Sequence, residues 1–121
     1  PLKVDLAISQ GGLPDLREQM TLPDHGCGNE AAAKMAGLSA EASAKAEGEF
    51  ARTSPPEMPK GSARELQFNN DRDSIAPPSF GKAYGAEMVT TPHEGHAELI
   101  APETVSWGKQ RAVILKALKK Q

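Results

Sequence analysis

Bulky apolar side chains are scarce in this chain. Its 121 residues include three Phe, one Trp and one Tyr, so aromatics make up 4%. Much of the 38% hydrophobic fraction is alanine, which buries little area and contributes little hydrophobic free energy. Ordering each residue costs about 1–2 kcal/mol of backbone entropy. A thin core offsets that cost poorly. The composition therefore predicts a chain that is loose in places unless neighbouring molecules hold it.

Other absences narrow the function. A single cysteine, Cys27, excludes an intrachain disulfide and fits a reducing compartment or an assembly that needs no staples. No apolar run approaches the roughly 20 residues of a membrane span. Residues 2–8 are too short for a signal peptide and carry Asp5, so the expected location is the cytoplasm or the interior of a virion or other large complex. The net charge of −2 gives the whole chain no nucleic-acid signature. No long repeat is visible, and no P-loop, dinucleotide fingerprint or G-x-S-x-G motif is present. At this length one structural unit is expected. It divides into residues 1–52, 53–102 and 103–121.

What is present begins with "PLKVDLAI". Leu2, Val4, Leu6 and Ile8 alternate with Lys3, Asp5 and Ala7, which predicts a half-buried strand over 2–8. That strand needs a sheet to join, and the expectation is that the sheet belongs partly to another chain. "SQGG" ends the strand, and Pro14 suits the first position of a short helix in "LPDLREQM". In "GNEAAAKMAGLSAEASAKAEGEFAR", Asn29 and Glu30 favour a helix start. Ala31, Met35, Leu38, Ala42, Ala46 and Phe50 form one narrow apolar stripe. Ala33, Gly37, Ala40, Ala44 and Gly48 form a second face of small side chains, suited to close approach by a partner's backbone. Gly37 is a candidate break.

From Thr53 to Pro102 the composition shifts. Seven of the ten prolines lie there, with the apolar islands "ELQF", "YGAEMV" and "AELI" between them, each a candidate strand. So irregular a stretch predicts chain extended over something else. The last segment, "APETVSWGKQRAVILKALKKQ", starts a helix near Pro102 and Glu103. Trp107, Ile114, Leu115 and Leu118 share one side. From Glu103 onward five basic residues, Arg111 among them, stand against one acidic residue. Such a helix suits a partner's groove through its apolar side. Its basic side suits an acidic protein surface, nucleic acid or anionic lipid.

Three sets of residues could carry chemistry. "PLKVDLAI" resembles the opening of the tautomerase superfamily. That resemblance implies a catalytic amine at Pro1 on a first strand, followed by a long helix and a second parallel strand. It covers about eight residues, after which "TLPDHGCG" interrupts the family pattern; trimming of a start Met is the plainer account of Pro1. His25 and Cys27 in "DHGCG", with His93 and His96 in "PHEGH", are ligand types suited to tetrahedral zinc, though not at standard zinc spacings. Asp71 and Asp73 in "NNDRDS" read as a solvated turn.

These residues favour a small, irregular α+β protein: an N-terminal strand, an Ala-rich helix, a long Pro/Gly-rich extended middle and a C-terminal amphipathic helix. The expected role is a structural or interaction subunit of a larger assembly, with no cofactor and with several protein partners. A virion accessory protein (minor capsid, cement or connector) fits, as does a peripheral subunit of a ribonucleoprotein or enzyme complex. The expected contact residues are Trp107, Arg111, Ile114, Leu115 and Leu118 on the last helix and Ala33, Gly37, Ala40 and Ala44 on the Ala-rich one. The alternatives are an enzyme using Pro1 and a zinc-supported binding module.

Overall fold

The computed structural model describes residues 3–21, 28–39, 49–82 and 84–119. The fold is a small, irregular α+β arrangement. Among the described residues three strands, β1 (Leu6–Gln10), β2 (Arg64–Phe68) and β3 (Glu87–Val89), form one sheet in the order β1-β2-β3. Both pairings are parallel. Parallel neighbours require long crossovers, and here residues 11–63 and 69–86 supply them.

The expected first strand is present but displaced. It runs from Leu6 to Gln10, and Val4 is 48% exposed. Its partner lies within the same chain, in the "ELQF" island, with Ile8 opposite Leu66 and Gln10 opposite Phe68. Part of the "YGAEMV" island becomes β3. "AELI" is not a strand: Ala97–Leu99 is one 3-10 turn. Only Leu99 of that turn is buried. It acts as a single apolar peg, which a strand's alternation is not needed to place.

Two small cores result. One lies under the sheet, where Leu66, Phe68 and Leu99 are buried and Leu6, Ile8, Val89 and Val113 pack around them. The register puts Leu6, Ile8, Leu66, Phe68 and Val89 on one sheet face, because side chains alternate along each strand. The other core joins three short helices: α1 (Leu16–Gln19), α2 (Gly28–Met35) and α3 (Phe50–Thr53). Leu16, Met20, Ala32, Ala33, Ala36 and Phe50 are buried there, with Leu38 against them. The remaining α-helices among the described residues are α4 (Pro78–Lys82) and α5 (Val105–Leu118).

The Ala-rich helix stops at the glycine expected as a candidate break. The chain reverses at Gly37, with φ 72°. Leu38 N–H donates to Ala33 O at 2.9 Å and Gly37 N–H to Lys34 O at 3.1 Å, the paired bonds of a left-handed helix stop. Glu49 N–H then donates to Ala36 O at 2.7 Å, so the residue before α3 closes the end of α2. The buried side is Ala32, Ala33 and Ala36, while Met35, expected in the apolar stripe, is 62% exposed. Ala33 therefore lies inside the chain's own helical core and not on its surface. Ala40 and Ala44 lie outside the described residues.

α1 is fixed by its own cap and by distant groups. Asp15 accepts from Glu18 N–H, and Leu16 N–H donates to Ser54 Oγ at 3.1 Å. Arg17 stacks 4.0 Å above the Phe50 ring and forms a two-point pair with Glu57 at 2.8 and 3.1 Å. The Arg17 hydrogen bond holds the Glu57 carboxyl below its ordinary 4.5. A carboxyl lowered on folding adds stability above its unfolded value and loses it as pH falls through the folded one. Glu57→Gln should therefore lower the urea midpoint at neutral pH, and the difference from wild type should vanish as pH drops below 4.5.

Truncation in the sheet core is costly. Phe68 is 0% exposed, so Phe68→Ala should cost about 3–5 kcal/mol, read as a lower urea midpoint at unchanged slope. Leu115→Ala, at a surface site, should stay within about 0.5 kcal/mol.

Candidate functional site

α5 meets the sheet with an unexpected side. Ser106 and Gln110 are fully buried, and Val113 and Ala117 are half-buried. Their spacing of four, three and four residues is one helix face. The expected apolar side lies about a third of a turn away. There Trp107 is half-buried, Arg111 is exposed, and Ile114, Leu115 and Leu118 are 38%, 42% and 59% exposed.

Hydrogen bonds explain why the amide side faces inward. Gln110 Nε2 donates to Leu99 O at 2.8 Å, and Gln110 Oε1 accepts from Gln10 Nε2 at 2.5 Å. Burying an amide is costly only when its bonds are lost. Here Gln110 ties the end of β1, the Leu99 turn and α5 together. Lys109 Nζ adds bonds to Thr90 O at 3.2 Å and Thr91 Oγ1 at 3.1 Å beyond β3.

The start of α5 is held from a distance. The Glu94 carboxylate accepts from Val105 and Ser106 N–H, each at 2.9 Å, and Thr104 Oγ1 accepts from Trp107 N–H at 3.2 Å. These groups satisfy amides that a helix start otherwise leaves open, and the negative charge suits that end of the helix.

Around this helix start the carboxyl edge of the sheet is densely polar. Asn69, Asn70, Asp73 and Thr91 are all buried. Asp73 was expected to be solvated with Asp71, but its side chain is fully enclosed. One oxygen accepts from Ile75 and Ala76 N–H at 2.9 and 2.7 Å, and the other meets His96 Nδ1 at 2.7 Å. Gly11, with φ 61°, lets the chain pass against that imidazole, since a Cβ there would fall 2.7 Å from His96 Cε1. His93 also has a left-handed φ of 66°, and its N–H donates to the Asp71 carboxylate at 2.6 Å.

The four residues considered for zinc are not all open to description. His25 and Cys27, like Pro1, lie outside the described residues. His96 is engaged with Asp73, and His93 Nδ1 lies 3.3 Å from Arg72. Among the described residues, no group of three or more His, Cys, Asp or Glu is arranged to hold a metal ion.

The exposed side of α5 borders a groove of about 360 Å³. It is lined by Lys3, Asp5, Leu6, Ile8, Ile114, Ala117 and Leu118. The groove therefore runs between β1, an edge strand of the sheet, and the second half of α5. Arg111 and Lys116 stand exposed on the same helix, which carries no acidic residue, and Lys119 is exposed at its C-cap. Gly37, by contrast, serves as the stop of α2. The sequence signal for the buried side was available in the spacing of Ser106, Gln110, Val113 and Ala117, but serine and glutamine do not register as core residues.

Comparison with protein-family models, with curated proteins and with solved structures returns no match to this chain. No helix among the described residues is long and apolar enough to cross a membrane. The site must therefore be read from its own chemistry.

Removing the carboxylate that holds α5 provides a direct check on this geometry. Glu94→Ala should cost about 0.5–2 kcal/mol, the range for a lost helix cap. Amide exchange should accelerate first at Val105 and Ser106, the two amides released.

Proposed function

We propose that this chain is an interaction subunit of a protein assembly, and that the groove between β1 and α5 receives its partner. One observation carries the reading: α5 buries Ser106 and Gln110 while Ile114, Leu115 and Leu118 stay at the surface. A terminal helix that served only its own core would turn its larger apolar residues inward. Exposed apolar residues gathered beside a sheet edge are the usual composition of a docking surface.

Charge selects the partner's chemistry. Arg111 and Lys119 stand beside the apolar residues, three or four positions from Ile114 and Leu115, so the partner is a protein surface with an apolar ridge and acidic margins. The ridge supplies affinity, and the acidic margins supply rate of encounter and orientation. Nucleic acid fits less well, because half of the exposed side consists of aliphatic side chains, which do not read phosphate.

Photo-crosslinking tests the reading. A benzophenone side chain at position 114 or 118 should capture a discrete second protein in cells that make this chain. The same group at Ala112, exposed but on another side of α5, should not. Combining position 114 with Leu118→Glu should abolish capture and leave the melting temperature within about 3 °C. Capture that is equal at 112 and 114, or that survives Leu118→Glu, would remove the proposal.

A further inference from the structure

The opposite face of the sheet carries a second cavity, unrelated to α5. The register places Ala7, Ser9, Glu65, Gln67 and Met88 on this face. α4 covers its β2–β3 half, laying the backbone of Gly81 against Met88 and Gln67. The β1–β2 half is left as a cleft of about 340 Å³. Leu13, Pro14, Pro55, Ala86 and Tyr84 contribute its walls, and Glu65 and Gln67 lie across its sheet floor. The volume is in the range of small-molecule sites, and apolar walls with a few converging polar groups are their usual composition.

The floor is organised to present negative charge. Tyr84 Oη donates to Glu65 Oε2 at 2.8 Å. Burial, and then the hydrogen bond to Glu65, pushes the Tyr84 hydroxyl above its ordinary 10.0, so it remains a donor at neutral pH. Gln67 is 1% exposed, and its Nε2 is committed to Gly12 O at 3.1 Å. None of the ion pairs among the described residues includes Glu65. Lys60 instead donates to Tyr84 O at 3.3 Å and lies 5.3 Å from the ring centroid. One oriented carboxylate thus lines an apolar cleft and is ion-paired with no cation among the described residues.

We propose that this cleft binds a small free amine, an ammonium or guanidinium group on a compact apolar body. The charged end would meet the Glu65 carboxylate, where a charge-assisted hydrogen bond is strongest. The body would lie against Leu13, Pro14, Pro55 and Ala86. An anion would be repelled by Glu65, and a neutral apolar guest would strip water from it with no return.

Titration of the full chain with benzylamine, followed by amide chemical shifts, tests this. Saturable shifts should centre on Glu65, Gln67, Tyr84 and Ala86, and benzyl alcohol and benzoate should leave them unmoved. Glu65→Gln, which keeps the shape and removes the charge, should weaken benzylamine about tenfold or more, equivalent to about 1.4 kcal/mol. Its melting temperature reports folding separately. Lys60→Ala should bind as wild type does, because Lys60 is not the partner of Glu65. The proposal is overturned if benzylamine gives no saturable shifts, if benzyl alcohol binds equally, or if folded Glu65→Gln binds benzylamine unchanged. A lysine-bearing peptide binding far more tightly than benzylamine would also overturn it, by assigning the cleft to a protein side chain.

Discussion

The ladder of β2 with its two neighbours is the interaction on which the other elements depend. β2 is the central strand of the sheet formed by the described residues, flanked on both sides, and it carries Leu66 and Phe68 into the sheet core. Its hydrogen bonding continues past the strand end: Gly11 N–H reaches Phe68 O at 2.8 Å, Asn69 N–H reaches Val89 O, and Asp71 N–H reaches Thr91 O. These bonds fix where the three carboxyl ends of the strands emerge. The Leu99 turn, the Asp73–His96 pair and the start of α5 are then all placed against that edge.

A chain poor in large apolar residues meets the demand for a specific interior partly with amides and carboxylates. Gln67, Asn69, Asn70, Asp73 and Gln110 are all buried. Their hydrogen bonds are directional, so they select one register and one helix orientation where small apolar residues would tolerate several. The two apolar clusters supply hydrophobic burial, at roughly 1.5–3 kcal/mol for each large side chain fully enclosed. Polar contacts decide which groups meet. Gln110 shows this most clearly, since it holds α5 in the rotation that leaves Ile114 and Leu118 outside.

The two faces of the sheet have different chemical characters as a result. One is covered by α5 and ends in an apolar groove beside a basic helix surface. The other is half covered by α4 and holds a carboxylate in an apolar cleft. The first suits a macromolecular surface with acidic margins, and the second suits a compact cation. Both arise from the same alternation along β1 and β2, with odd and even positions sent to opposite sides.

Local pattern was enough to identify several elements. The alternation in "PLKVDLAI" marked a first strand, "ELQF" and "YGAEMV" were two of three candidate islands for the others ("AELI" being the one that is not a strand), and Gly37 was marked as a helix break, because period, propensity and left-handed glycine act over a few residues. The mixed α+β character follows from the same signals. The apolar groups on the last helix were also legible from spacing. Their surface position was not, because it depends on Gln110 finding Gln10 and the Leu99 carbonyl, residues far apart in the chain. Strand pairing, the burial of Asp73 and the convergence of Tyr84 on Glu65 are likewise contacts between distant segments. Neighbouring residues determine backbone period and turns, whereas only the closed fold decides which distant polar groups satisfy one another, and that choice set the orientation of both candidate sites.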